Sequence, residues 1–455
     1  MTKAYEGVIM NSRLTRRSLF AGAATTTAAV GLTGCLASGD SGDKGGGGAA
    51  GGGTDGPVTI LGAFGGQEEA GFKESLKAFQ EETGIEIQYT PDQDFTTTVR
   101  QRISAGDAPD IAMFPQPGGL LEQAEAGTAV PLDDVLDLGK LKETLIPGFL
   151  ESATAEDGKV YGAPMRMACK SLIWYPKKAY EAGGYSTEPK TMEELAQITQ
   201  KIKDDLGIAP WSDAWNADQA TGWVGTDWLE EIMLRLHGPD VYDQWTKHEI
   251  PFNDPQVLEA FAELEKILLA DGNVLGGATT IVNTPFSEAP LPLFEDPARA
   301  MLVRQGNFVT GFFPEEILSA MDEEVGVFAM PTYEGGFDGQ PILGGGDLVA
   351  LFNKEKEDAK KVLEFLTSPD FGGPWAKAGG WLSPHKTFDE SNYADETTRR
   401  IAKIAGDAKV FRYDGSDLMP NAVGGGTFWT GMVEWVEGTK TAEQVAQEIE
   451  DSWPQ

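Results

Sequence analysis

Tryptophan and aspartate crowd one short stretch of this sequence. Trp211, Trp215, Trp223 and Trp228 are interleaved there with Asp213, Asp218 and Asp227. Trp174-Tyr175, Trp381 and Phe428-Trp429 add aromatic faces elsewhere. This mixture suits one kind of recognition. The flat C–H face of a sugar ring packs on an aromatic ring, while its hydroxyls pair with Asp, Asn, Gln and Arg around it. The glycines of Gly344–Asp347 and Gly424–Gly426 let backbone come close to a ligand. The same tryptophans have a structural alternative, because most Trp residues fill cores. Trp174 and Trp228, each in an apolar context, read as core.

Other chemistries lack their motifs. No GxxxxGK[ST], GxSxG, HExxH or CxxC occurs. His237, His248 and His385 stand singly and form no metal set, so neither a metal nor a cofactor is expected. Carboxylates are too numerous to nominate a glycosidase pair, which leaves a secreted carbohydrate-active enzyme open, with Asp213, Asp218 and Asp227 as its candidates. The formal charge of −35 repels nucleic acid and anionic lipid and suits an uncharged ligand. A local basic pocket around Arg166, Lys170 and Arg304 keeps an anionic glucoside derivative open as well.

Only two cysteines are present, Cys35 and Cys169. The first belongs to an N-terminal signal. Arg16-Arg17 precede a small-residue apolar run too short to span a bilayer, which ends in Leu32-Thr33-Gly34-Cys35. The pattern resembles a twin-arginine export signal closed by a lipobox. It implies that residues 1–34 are removed, that Cys35 is lipidated, and that the chain is tethered to the outer face of the membrane. Met10 offers a second start just ahead of the arginines. Cys169 is then left without an internal partner and reads as a buried thiol rather than a nucleophile. Residues 35–56 are a lipidated, Gly-rich flexible linker, spanning roughly 25 Å root-mean-square.

The positioning elements begin at Pro57. Val58–Phe64 reads as a strand. An amphipathic helix follows with Phe72, Leu76 and Phe79 on one face, closed by Gly84. Ile85–Tyr89 and Asp110–Phe114 are further strands, so a parallel sheet in an α/β domain is expected. Thr191-x-x-Glu194 starts a helix that Gly207 stops, and Ala359, Val362, Leu363 and Leu366 mark another.

Several segments carry a family resemblance. They are Ser104–Ile111 followed by Phe114-Pro-Gln-Pro117, Val160–Pro164 followed by Ser171–Tyr175, and Gly222–Trp228. Gly238–Tyr242, Arg304–Phe308, Gly345–Asp347 and Ser416–Pro420 leading to Phe428-Trp429 complete the set. From Pro57 to Trp453 the chain resembles the family 1 extracellular solute-binding proteins of bacterial ABC importers, α-glucoside-binding members in particular. The resemblance implies a two-lobed periplasmic-binding-protein fold with discontinuous lobes and a ligand cleft between them. The N-terminal lobe is expected from 57–165 and 348–380, the C-terminal lobe from 166–347 and 381–455. It further implies a non-enzymatic monomer that binds a small saccharide and hands it to permease transmembrane subunits. A sensor or adhesin built on the same fold is a third possibility.

The ligand contacts it implies are Gln67, Glu68 and Gln116 from the first lobe, Arg166 at the first crossover, and Trp223, Asp227 and Asn307 from the second lobe. Gly346 and Asp347 lie at the second crossover, Trp381 at the third, and Trp429 is the stacking platform. Plainer roles stand beside some of these: an interlobe ion pair for Arg166, a helix first-turn charge for Glu68, and a turn or cap for Asp347.

Overall fold

Val58–Gly62 (β1) is buried on both faces, as a central strand of an α/β sheet must be. The computed structural model describes residues 56–92 and 94–454. The signal, Cys35 and the linker expected at 35–56, save Gly56, lie outside the described residues. Gly66–Thr83 (α1) leads to Ile87–Pro91 (β2), and Phe95–Ser104 (α2) leads to Ile111–Phe114 (β3). Both β2 and β3 pair parallel to β1. Gly84 ends α1 in the left-handed conformation at φ 71, where its N–H bonds the Gln80 carbonyl. Pro117–Glu125 (α3) follows β3 directly.

Ala163–Cys169 (β4), Leu172–Pro176 (β5), Val303–Arg304 (β6), Val325–Ala329 (β7), Ile342–Leu351 (β8) and Phe411–Tyr413 (β9) complete the strands. The first sheet runs β2-β1-β3-β8-β4, with β9 pairing β8 further along that strand. The second runs β6-β5-β7 and is antiparallel. Alternation decides which side chain faces which core. Ile173, Tyr175 and Phe328 face one helical layer, while Leu172, Trp174, Val303 and Val327 face the opposite core. The second lobe's layer is built from Met192–Leu206 (α4), Trp223–Thr246 (α5) and Pro255–Leu268 (α6). Thr191 caps α4 through its hydroxyl, and Glu194 reaches back to the Lys190 N–H, one residue short of a full capping box. Helix α5 breaks at Gly238, φ 81, just before Pro239.

Two lobes joined by strand crossings match the expected architecture, but the crossings fall elsewhere. Strand β4 stays paired with β8 through Cys169↔Gly344, so residues 166–169 remain in the first sheet. Chain expected in the second lobe after 381 also packs on the first. Met167 N–H bonds the Leu382 carbonyl, Ile146 N–H bonds Pro384, and Lys386 N–H bonds Thr144. The return to the second sheet comes only with the helix Glu396–Asp407, which packs on β7. Among the described residues no helix is long and apolar enough to cross a membrane.

Candidate functional site

The first lobe presents its candidates from strand ends. Arg166 on β4 and Asp347 on β8 are register partners, and Arg166 Nε donates to Asp347 Oδ2 at 2.7 Å. Its Nη1 donates to Glu68 Oε1 at 2.5 Å, and its guanidinium lies 4.6 Å from the centre of the Phe64 ring. Burial pushes the Asp347 carboxyl up and Arg166 opposes that shift. Glu68 and Gln67 are exposed in the first turn of α1. Gly346 sits at φ 155, packed so closely on the Arg166 carbonyl that a Cβ would collide with it. The Gly346 carbonyl accepts from the Tyr413 hydroxyl at 2.6 Å.

The second lobe offers aromatic faces. Trp223 begins α5 after Gly222, which has φ 115 and abuts the Trp429 backbone. Trp429 begins the helix Trp429–Val436. Both indoles are half-buried. Trp223 meets Phe286 and Phe308 at 5.3 and 5.9 Å between ring centres, and Lys170 Nζ lies 5.3 Å from the centre of the Trp223 ring. Asn307 Oδ1 accepts the Cys169 N–H at 2.8 Å, which ties the β6 region to the end of β4.

A buried charge network stands behind these faces. Lys170 Nζ donates to Asp227 Oδ1 at 2.9 Å and to Asp414 Oδ2 at 2.5 Å. Arg304 Nη2 donates to Asp227 Oδ2 at 3.1 Å. Glu230, fully buried on α5, accepts from the N–H groups of Gly415 and Ser416 at 2.8 and 2.9 Å. Asp414 accepts from Asp417 N–H and Ser416 Oγ. Together these carboxylates anchor the single turn Gly415–Leu418 (α7). Burial would raise Asp414, but Lys170 and the surrounding hydrogen bonds hold it below the ordinary carboxylate range. The oxygens of Asp227, Glu230 and Asp414 converge within 4.8 Å, and Lys170 and the α7 N–H groups satisfy them.

Turn α7 faces the first lobe directly. Gln116 Nε2, just ahead of α3, donates to Asp417 Oδ1 at 2.9 Å. Beside this contact a cavity of about 350 Å³ is lined by α3, Arg100 and residues Ser416–Asn421. The helix Trp429–Val436 (α8) follows, and Trp429 Nε1 approaches Ser416 Oγ at 3.4 Å.

Contacts therefore run from Glu68 through Arg166 to Asp347, and from Trp223 through Lys170, Asp227, Asp414 and Ser416 to Trp429, Asp417 and Gln116. Two expected contact residues are placed differently. Trp381 is 2 % exposed and packs on Phe371 and Phe388 in the first-lobe core, because its segment folds back onto that lobe. Asp227 has no exposed surface and is occupied by Lys170 and Arg304. Of the tryptophan-rich stretch, Trp211, Trp215 and Trp228 are core, like Trp174. Trp228 Nε1 donates to Asp213, whose carboxyl burial pushes up to about 6. Asp218 is exposed in a turn at φ 53. The Cys169 thiol is buried and pushed up to about 12, which leaves it unreactive at neutral pH. The sequence reading does not name Asp417, Ser416 or Glu230 as contacts, and it names Lys170 only in a basic pocket. Asp417 and Ser416 lie in the quoted motif Ser416–Pro420, but nothing in local spacing places α7 opposite α3.

Residues 65–372 match the family model described as bacterial extracellular solute-binding protein. The chain is 40% identical over 423 residues to the osmoprotective compounds-binding protein GgtB of Synechocystis sp., covering 93% of this chain and 96% of that one. It is 36% identical over 407 residues to the alpha-glucosides-binding periplasmic protein AglE of Rhizobium meliloti, covering 87% and 86%. The solved solute receptor AcbH superposes with a TM-score of 0.74 at 18% identity, over 87% of this chain and 98% of that one, a likeness of fold alone. This chain belongs to the bacterial extracellular solute-binding proteins.

Proposed function

We propose that this protein captures an α-glucoside or related small uncharged saccharide between its two lobes and delivers it to the transmembrane subunits of an ABC importer, without turnover. One observation carries the reading. Half-buried Trp429 stands beside Ser416, whose neighbour Asp417 bonds Gln116 of the first lobe, and half-buried Trp223 follows Gly222, which abuts the Trp429 backbone, while the nearby cations are already engaged by carboxylates. Arg166 is shared by Glu68 and Asp347, Lys170 by Asp227 and Asp414, and Arg304 by Asp227. An anionic ligand would have to displace these partners, so the reading favours a neutral one. The relatives named for osmoprotective compounds and for alpha-glucosides support the same class. In this reading Cys35 carries the lipid anchor after twin-arginine export, and the protein works as a monomer at the outer face of the membrane.

The test is a thermal-shift and calorimetric screen against glucose, trehalose, sucrose, maltose and a glucuronide. A ligand at a hundredfold excess over its dissociation constant adds about 2.7 kcal/mol of stability. A shift with a neutral glucoside recovered intact, and none with the glucuronide, is expected. No shift with any neutral sugar, or release of monosaccharide, would overturn the reading.

A further inference from the structure

Strand β4 ends at Cys169 in the first sheet and β5 begins at Leu172 in the second, so Lys170 and Ser171 make up the whole of that passage between the sheets. The backbone there is tied to its neighbours. The Lys170 N–H bonds the Leu343 carbonyl at 2.9 Å, and the Leu343 N–H bonds Ser171 Oγ at 2.8 Å. The Asp414 N–H, on the chain leading from β9 to α7, bonds the Gly344 carbonyl at 2.8 Å. Lys170 is thus rooted where the β4–β5 passage, the start of β8 and the end of β9 come together.

From that root the side chain reaches both aromatic-bearing elements. Its Nζ bonds Asp227 of α5 at 2.9 Å and Asp414, next to α7, at 2.5 Å, and it lies 5.3 Å from the centre of the Trp223 ring. Lys170 itself is 8 % exposed. Neither carboxylate is free to follow the ammonium if it shifts. Arg304 holds the other oxygen of Asp227, and Ser416 Oγ and the Asp417 N–H hold Asp414. An ammonium has three N–H donors and no acceptor. Carboxylates take two of them, and the indole lies within cation–π reach. Trp223 is the first residue of α5, while Ser416 of α7 stands 3.4 Å from Trp429 Nε1. The ammonium therefore sits between the helix that carries one indole and the turn that flanks the other.

We propose that Lys170 is a positioning residue of the saccharide site: its ammonium fixes the Trp223 indole relative to turn α7, and so sets affinity without bonding the ligand. The inference rests on the saccharide reading above. Net stability is a poor account of such a group, because the cost of desolvating buried charges offsets most of their attraction. Geometry is the better account. A point charge held by two carboxylates on separate elements has one place to sit, and an aromatic ring packed on it inherits that place. An uncharged side chain of the same length would fill the space but bond neither carboxylate, leaving α5 and α7 without their common tie.

Fluorine NMR of the full chain labelled with 5-fluorotryptophan tests this, together with calorimetry using whichever of trehalose, sucrose or maltose binds. Single Trp→Phe substitutions assign the signals of Trp223 and of the core residues Trp174 and Trp381. Lys170→Met is compared with wild type. Should the uncompensated carboxylates keep it from folding, Lys170→Met combined with Asp414→Asn takes its place, with Asp414→Asn alone as the reference. We expect the Trp223 signal to move while those of Trp174 and Trp381 stay, and affinity to fall about tenfold, within the range seen for substitutions that do not touch ligand. A purely structural role would lower the melting temperature without singling out Trp223. A folded variant whose Trp223 signal or whose affinity matches its reference would overturn the proposal. If wild type binds none of the sugars, the saccharide reading fails, and the fluorine spectra still decide this one: an unmoved Trp223 signal overturns the positioning role, and a selective shift supports it.

Discussion

Trp429 and Trp381 are the same residue type with opposite duties. Trp429 keeps part of its indole exposed beside Ser416, whereas Trp381 packs on Phe371 and Phe388. Trp429→Ala should weaken saccharide binding at least about tenfold, as loss of an aromatic platform does, while the melting temperature moves little. Trp381→Ala should do the reverse. Truncating a buried Trp costs about 3–5 kcal/mol, so its melting temperature drops while the folded fraction binds normally. Paired melting and calorimetry on the two variants separate the roles. Equal loss of affinity in both would contradict the placement of Trp381 in the core. Sequence could not make this distinction, because both tryptophans follow Gly- or Thr-rich segments and neither lies on a helical stripe.

At the scale of elements, two devices hold the site's scaffold. Asp110, at the entry to β3, accepts from Thr59 N–H at 2.9 Å, from Thr59 Oγ1 and Lys356 Nζ at 3.0 Å, and from Asn353 Nδ2 at 2.9 Å. It thereby joins β1, β3 and the approach to the helix Glu357–Leu366. Burial would raise its carboxyl, but the Thr59 N–H, Lys356 and Asn353 hold it below the ordinary value. Its stabilisation is therefore present above the unfolded value, about 3.9, and is lost as pH falls through the lower native one. Asp110→Asn should lose about 1–3 kcal/mol at pH 7 and show a shallower acid-side decline in urea melts between pH 5 and 2. An unchanged acid limb would remove Asp110 from this role. The second device is Gly222, whose positive φ and contact with the Trp429 carbonyl leave no room for a side chain. Gly222→Val should cost at least about 2 kcal/mol and loosen Trp223 against Trp429, seen as a lower midpoint and weaker sugar binding together.

For the whole molecule, charge sets the contrast. The chain carries −35 overall, yet the cations around the cleft are matched by carboxylates. Binding of an uncharged sugar should then change less than about twofold between 50 and 500 mM NaCl, because screening acts on charges the ligand does not have. A steep salt dependence in equilibrium calorimetry would point back to an anionic ligand. Strands β4 and β8 stay paired from Ala163↔Val349 to Cys169↔Gly344, with Gly346 packed where a Cβ cannot fit. The free energy for any closure of the lobes on a ligand must come from contacts that ligand makes better in the closed form than in the open one.

Much of the local structure was legible in residue patterns. Phe72, Leu76 and Gly84 define the inner face and end of α1, and Thr191 and Gly207 bound α4, because capping and helical period are short-range physics. The strand assignments near Val58, Ile85 and Asp110 rest on the same local grounds, with ends displaced by a residue or two. The family motifs name Arg166, Trp223 and Trp429; the first pairs with Glu68 and Asp347, and the other two adjoin through Gly222. Tertiary structure alone decided which aromatic and acidic residues keep exposed surface. Trp381 turned inward because residues 381–393 fold back on the first lobe, and Asp227 was spent on Lys170 and Arg304 from distant strands. Asp417 reached Gln116 only because Glu230 and Asp414 anchor a four-residue turn across from α3. Period and capping act over a few residues. Burial, charge pairing and contact between lobes depend on residues hundreds of positions apart, and only the folded chain brings those together.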